Sequence, residues 1–202
     1  MAKSRYLVSL ITQDNDYQRE QAASAKAAAQ EFGIEAEIVY AGNDAITQST
    51  QLLKAIQADT TLRPQAVIVE PLGATPFPKV ASTAAAAGIG WAVVNREADY
   101  TAQLRQNHTT PVFSVSVDQV EVGRSQGKQI AAFLPRGGSV LFIQGPSVSS
   151  VSRQRLEGHK LQNPASKLER EVDRGERLSE RLLVDQTYAR AEGSHRPDLR
   201  AK

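Results

Sequence analysis

The stretch AGIGWAVVNRE, residues 87–97, decides the fold of this chain. Gly88 supplies the backbone freedom with which helices commonly end. Residues 89–94 are a nearly continuous apolar run, typical of a strand covered on both faces of a parallel sheet. Asn95 and Arg96 follow directly. Because open α/β sheets bind ligands beyond the carboxyl ends of their strands, we expect these two side chains to border a crevice.

Short apolar runs alternate with alanine-rich helical stretches from Arg5 to about residue 164. Strands are predicted at residues 6–11, 34–42, 65–70, 89–94, 112–118 and 139–144. Helices are predicted at residues 17–33, 44–58, 79–87 and 119–134, and in a segment carrying Arg153, Arg155 and His159. Residues 98–111 are predicted to be a loop. This order indicates an α/β fold, an open parallel sheet with helices on both faces.

Composition excludes several classes of function. The chain has 202 residues, enough for a proper core, with 41% hydrophobic and 23% charged residues. A net charge of +2 is too small to indicate nucleic-acid binding, and the absence of cysteine excludes disulfides and thiolate metal sites. No Walker A sequence, complete dinucleotide fingerprint or metal-ligand spacing of histidines occurs. We therefore expect no enzyme activity, no cofactor and no metal.

The two ends of the chain differ from the rest. The apolar run at residues 6–11 is too short for a signal peptide or a membrane span, so no export signal is expected in the chain as given. From residue 166 onward, 17 of 37 residues are charged. We expect this tail to be partly disordered, with Leu168, Val172, Leu178 and Leu182 lining a short helix.

Polar side chains follow several of the predicted strands. Asn and Arg offer amide and guanidinium groups that suit vicinal oxygens of a polyhydroxylated ligand, and a tyrosine can cover a sugar ring. Any one of them alone is more typical of a turn or a solvated surface. Their convergence on one edge of the sheet is what favours a site. The collected residues are Gln13, Asp14, Asn15, Asp16, Tyr17, Glu70, Thr75, Asn95, Arg96, Gln144, Ser147 and Arg155.

In this order, the segments resemble the type I periplasmic binding proteins, the fold of sugar-binding ABC-transporter receptors and LacI-type effector domains. The resemblance covers about residues 5–162. The segments that carry it are YLVSLITQDNDYQREQAASAKAAAQEFG, AGNDAITQSTQLLKAI, QAVIVEPLGA, AAGIGWAVVNRE, VSVDQVEVGRSQGKQIAAFL and GSVLFIQGPSVSSVSRQRLEGHK. The resemblance implies first-loop ligand contacts at Asn15 and Tyr17, a hydrogen-bonding pair at Asn95 and Arg96, and a second-lobe contact at Arg155.

The resemblance also implies a domain plan: a first lobe at residues 5–97, a crossover and the start of a second lobe at 98–165, and a tail at 166–202 unlike the family. We expect a truncated or frameshifted member whose second lobe exposes apolar strand edges.

The implied function is non-catalytic binding of a small polar solute, a monosaccharide or related sugar, for an ABC importer. The implied partners are that ligand and a transporter permease, with neither nucleic acid nor membrane insertion. The alternative is the effector-binding domain of a LacI-like regulator or sensor without its DNA-binding part. The resemblance implies the periplasm, whereas the chain as given implies the cytoplasm, so localisation stays open.

Overall fold

The computed structural model describes residues 3–73, 77–136, 139–144, 149–162 and 167–173. Strands and helices alternate for most of that length. The elements are β1 (Arg5–Leu10), α1 (Asp16–Glu31), β2 (Glu35–Tyr40), α2 (Ala45–Ile56), β3 (Ala66–Val69), α3 (Phe77–Ala86), β4 (Gly90–Val94), α4 (Tyr100–Asn107), β5 (Val112–Val115), α5 (Gln119–Phe133), β6 (Ser139–Gln144), α6 (Ser150–Gln162) and β7 (Lys167–Asp173).

Five strands form a parallel sheet in the order β2-β1-β3-β4-β5. This confirms the α/β class and the parallel sheet that the sequence predicts. β3 lies between β1 and β4, so the polar residues after these three strands meet at one edge of the sheet. The pairs Leu7↔Val67 and Val67↔Trp91 show that the three strands are in register.

The sheet buries side chains on both faces because alternate residues of a strand point to opposite sides. One face carries Leu7, Val67 and Trp91, packed with Leu52 of α2 and Phe77 of α3. The other face carries Val8 and Leu10, packed with Ala22 of α1.

Polar side chains cap the starts of α1, α2 and α5, at Asn15, Asp44 and Asp118. The carboxylate of Asp44 accepts from the backbone N–H groups of Ile46 and Thr47, at 3.1 and 3.0 Å. Asp118 accepts from the backbone of Glu121 at 2.9 Å. These bonds satisfy N–H groups that have no partner inside a helix. Gly88 lies two residues beyond the carboxyl end of α3. Its φ of +76° confirms the predicted glycine turn after a helix.

Two predictions about secondary structure are wrong. Residues 98–111 were expected to be a loop, yet they contain α4, which buries Thr101 and Leu104. The expected helix beginning at Leu168 is instead the strand β7 over the described residues, parallel to β6. Residues 167–173 are mostly charged, and the backbone pairing with β6 stabilises a strand there over a helix.

β6 and β7 form a second sheet of two strands, and α5 and α6 pack against each other. The proposed domain boundaries at residues 97 and 165 remain predictions. Most of the predicted tail, residues 174–202, lies outside the described part. Large apolar side chains are exposed in and beyond β5: Phe113, Val115, Val117, Phe133, Ile143 and Leu161. Among the described helices, none is both long and apolar enough to cross a membrane.

Candidate ligand-binding site

The carboxylate of Glu70 lies at the centre of the polar edge of the sheet. Glu70 directly follows β3, and its side chain is 3% exposed. Its Oε2 accepts from Gln18 Nε2 at 2.6 Å, and its Oε1 accepts from Asn95 Nδ2 at 2.9 Å. Arg96 Nε lies 3.7 Å from the same Oε1, within ion-pair distance. One buried carboxylate therefore joins α1 to the segment that follows β4.

The backbone holds Glu70 in place from both sides. Its N–H donates to the Ser9 carbonyl at 3.0 Å. Its own carbonyl accepts from Gln48 Nε2 at 2.9 Å, and Gln48 also bonds to the Ser9 hydroxyl at 3.1 Å and accepts from the Leu72 N–H at 2.9 Å. Gln48 is completely buried. This network fixes the direction in which the Glu70 side chain leaves the sheet.

Asn95 and Arg96 lie where the sequence predicts, at the end of β4. Asn95 has φ +62°, a left-handed conformation that asparagine tolerates better than most residues. Its N–H donates to the Val115 carbonyl at 2.8 Å. The Arg96 side chain is 19% exposed. The turn therefore brings both side chains to Glu70 while part of the guanidinium still reaches solvent.

Asn15 and Tyr17 lie at the start of α1. Asn15 is exposed, and its Oδ1 accepts from the Gln18 N–H at 2.9 Å, so the side chain caps the helix. Tyr17 is 56% exposed. Partial burial raises the pKa of the Tyr17 hydroxyl, the negative charge of Glu70 raises it further, and the positive charge of Arg155 opposes them. Glu70 and Arg155 thus both act on Tyr17.

Arg155 comes from α6, and Gln119 at the start of α5 orients it. Arg155 Nε donates to Gln119 Oε1 at 2.8 Å, and Gln119 is buried. One residue earlier, Gln154 Nε2 donates to Glu97 Oε2 at 2.7 Å. Since Glu97 follows Arg96, α6 makes direct contact with the segment that follows β4.

The structure brings Asn95 and Arg96 together on Glu70 and places Tyr17 within electrostatic reach of Glu70 and Arg155. Asn15 stands apart as the cap of α1. Whether any of the five binds a ligand remains a prediction. Thr75, Ser147 and the side chain of Gln144 lie outside the described residues.

Sequence reasoning missed two residues at this edge, Gln18 and Gln119. Gln18 is 3% exposed and also accepts from the Ile11 N–H at 2.9 Å. No sequence signal separates it from the other glutamines of α1. Gln119 directly follows a predicted strand and is the first residue of α5, which is a signal that was available. Glu70 was recognised as a strand end but was not counted among the ligand contacts.

The described residues contain no group of His, Cys, Asp and Glu side chains that could hold a metal ion. A shallow depression of about 440 Å³ runs along α5, away from the five predicted contacts. It is lined by Asp118, Glu121, Val122, Ser125, Gln126 and Gln129. We refer to the region bordered by Tyr17, Glu70, Asn95, Arg96 and Arg155 as the crevice.

Comparison with protein families gives one match: the model described as "Periplasmic binding protein domain" fits residues 6–177. A search of curated protein sequences found no match.

Solved structures share the fold. A galactofuranose binding protein is 19% identical with a TM-score of 0.74, and the superposition covers 84% of this chain and 56% of that protein. A solute binding protein of an ABC transporter from Mycobacterium smegmatis, with bound glycerol, is 23% identical with a TM-score of 0.70, covering 85% and 56%. A counterpart from Bacillus halodurans, with bound myo-inositol, is 21% identical with a TM-score of 0.72, covering 85% and 57%. The chain therefore spans little more than half the length of these structures.

Proposed function

We propose that this chain, which belongs to the periplasmic binding protein domain family, binds a monosaccharide or a related polyol without transforming it. The family consists of solute-binding proteins, not enzymes. The observation that carries the proposal is the convergence of Asn95 and Arg96 on the buried carboxylate of Glu70, beside Tyr17. A guanidinium donor and an amide group held at a fixed spacing suit the vicinal hydroxyl groups of a sugar, which both donate and accept.

The ligand contacts we propose are Asn95 and Arg96 after β4, Tyr17 on α1, and Arg155 across the crevice on α6. Tyr17 would lie on the apolar face of the ring and leave its hydroxyl in water. Asn15 would contribute through its amide nitrogen, since its oxygen caps α1.

Structures that share the fold are described as binding galactofuranose, β-D-glucose, arabinofuranose, D-allose and myo-inositol. These compounds are uncharged and rich in hydroxyl groups, and they define the ligand class to try first. Several of those proteins are described as components of ABC transporters. We accordingly propose that the full protein serves an ABC importer in the periplasm, with a permease as its partner.

A binding screen tests the proposal. The chain is titrated by calorimetry with D-galactose, D-glucose, L-arabinose and myo-inositol, and separately with nucleosides, amino acids and NAD. We expect saturable heat with at least one neutral sugar or polyol, abolished by Arg96→Ala. The control is Arg5→Ala, which removes an arginine at the amino end of β1, paired with Glu35. Binding of NAD alone, or of nothing, contradicts the proposal.

A further inference from the structure

Glu70 is an ionisable residue whose role differs from that of a ligand contact. Its side chain is 3% exposed, and both oxygens are engaged by other residues. A buried carboxylate is costly unless hydrogen bonds and an opposite charge compensate for it. Here Gln18 and Asn95 supply the hydrogen bonds and Arg96 supplies the charge. With its oxygens so occupied, Glu70 acts on a ligand through its neighbours.

The geometry leaves hydrogen-bond donors in the crevice while it offsets their charge. Arg96 turns its Nε toward Glu70 at 3.7 Å, as an ion pair without a hydrogen bond, and its side chain remains 19% exposed to a ligand. Asn95 directs its Nδ2 at Glu70, which leaves its Oδ1 as an acceptor. A ligand therefore meets the guanidinium donors of Arg96 and the amide acceptor of Asn95. The positive charge of Arg96 is offset by the buried carboxylate of Glu70.

The Tyr17 hydroxyl lies close enough to Glu70 and Arg155 to be influenced by both charges. Partial burial is the main cause of the raised pKa of the Tyr17 hydroxyl; the negative charge of Glu70 raises it further, and Arg155 opposes both. The charge of Glu70 therefore acts on a group at this position against the opposing charge of Arg155. A carboxylate on a ligand would experience the same repulsion, since charges in a partly buried crevice are weakly screened.

We propose that Glu70 is a specificity-determining and positioning residue: it holds Asn95 and Arg96 in place and makes the crevice select neutral sugars over their uronic acids. This inference rests on the proposed function. It predicts that removal of the carboxylate charge both loosens the two contacts and admits acidic ligands.

The test compares wild type, Glu70→Gln and Glu70→Asp with the matched control Glu35→Gln. Glu35 is an exposed carboxylate at the opposite, amino end of the sheet, also paired with an arginine. Each protein is titrated by calorimetry with D-galactose and D-galacturonate, and with D-glucose and D-glucuronate. Nuclear magnetic resonance of the Asn95 side-chain amide gives a second measurement that needs no ligand.

We expect wild type to prefer a sugar over its acid by at least ~10-fold, and Glu70→Gln to reduce that ratio to about threefold or less. Glu70→Asp keeps the preference with weaker binding, and Glu35→Gln behaves as wild type. The Asn95 amide resonance shifts in Glu70→Gln and not in the control.

Equal binding of sugar and acid by wild type overturns the inference while the proposed function stands. A preserved ratio in Glu70→Gln overturns it as well. If no variant binds any sugar, the proposed function fails and the selectivity inference fails with it. In that case, an Asn95 amide resonance that does not shift in Glu70→Gln also contradicts the positioning role of Glu70.

Discussion

Gly123 of α5 packs directly against the backbone of Arg155 on α6. A Cβ at position 123 would overlap the carbonyl oxygen of Arg155. Gly158 makes the reciprocal contact, since a Cβ there would overlap the carbonyl oxygen of Val120. Two glycines thus permit the close approach of the helices, and this approach places the Arg155 side chain against Gln119 at the crevice.

The first prediction concerns this helix pair. Gly123→Ala should force α5 and α6 apart and cost about 1–3 kcal/mol, the usual range for overpacking a tight site. Thermal unfolding measures the loss, and calorimetric sugar titration reports the displacement of Arg155. Ser125→Ala, on the exposed side of the same helix, is the control. Wild-type stability in Gly123→Ala would show that the helices can separate without cost.

The second prediction concerns Gln48, which links Ser9, Glu70 and Leu72. Gln48→Leu should destabilise the protein by about 1–3 kcal/mol, because it leaves the Leu72 N–H and the Glu70 carbonyl unsatisfied. Urea unfolding gives the change in the free energy of unfolding. Gln30→Leu, at an exposed position of α1, is expected to cost little. Equal losses in both variants would contradict a role for the network.

The third prediction is a pH dependence that originates at His159. The ring is 1% exposed, packs against Phe142 at 5.3 Å between centroids, and has no hydrogen-bond partner for either nitrogen in the described structure. Burial lowers the pKa of His159, so the folded protein favours the neutral ring. The unfolded state therefore takes up the proton first. Stability is fully present above the unfolded pKa of about 6.5 and declines as the pH falls through and below it.

Thermal unfolding at pH 7.5 and pH 5 measures that decline. His159→Leu should flatten it because the titrating group is gone. Phe142→Leu disturbs the packing but keeps the imidazole, so the pH dependence should persist. An unchanged pH profile in His159→Leu would place the effect elsewhere.

The fourth prediction concerns Tyr100 and the single tryptophan, Trp91. Trp91 Nε1 donates to the Tyr100 hydroxyl at 3.3 Å, and burial raises the pKa of Tyr100 to about 12. Because the folded state disfavours the phenolate, stability should be lost as the pH rises above the ordinary tyrosine value of about 10. Spectrophotometric titration of wild type against Tyr100→Phe should reveal one tyrosine ionising near pH 12. The substitution should also shift the Trp91 fluorescence, whereas Tyr6→Phe should leave it unchanged.

Much of the fold follows from local pattern. Apolar runs specify the strands, and Asp44, Asp118 and Gly88 mark helix ends through their own hydrogen bonds or backbone freedom. The local sequence pattern did not predict α4, because this eight-residue helix is stabilised by the burial of Leu104 in the core. The pattern did not predict β7 either, because a charged segment forms a strand there through its pairing with β6.

The sequence by itself determined the family, the positions of Asn95 and Arg96 after β4, and those of Tyr17 and Arg155 on the helices that follow β1 and β6. Tertiary structure alone decided which of them meet, because the strand order β1-β3-β4 places Glu70 between α1 and the end of β4. Gln18, 52 residues away from Glu70 along the chain, becomes part of the site only through that order. Periodicity is local and is written in the sequence, whereas the convergence of buried polar groups depends on which strands become neighbours.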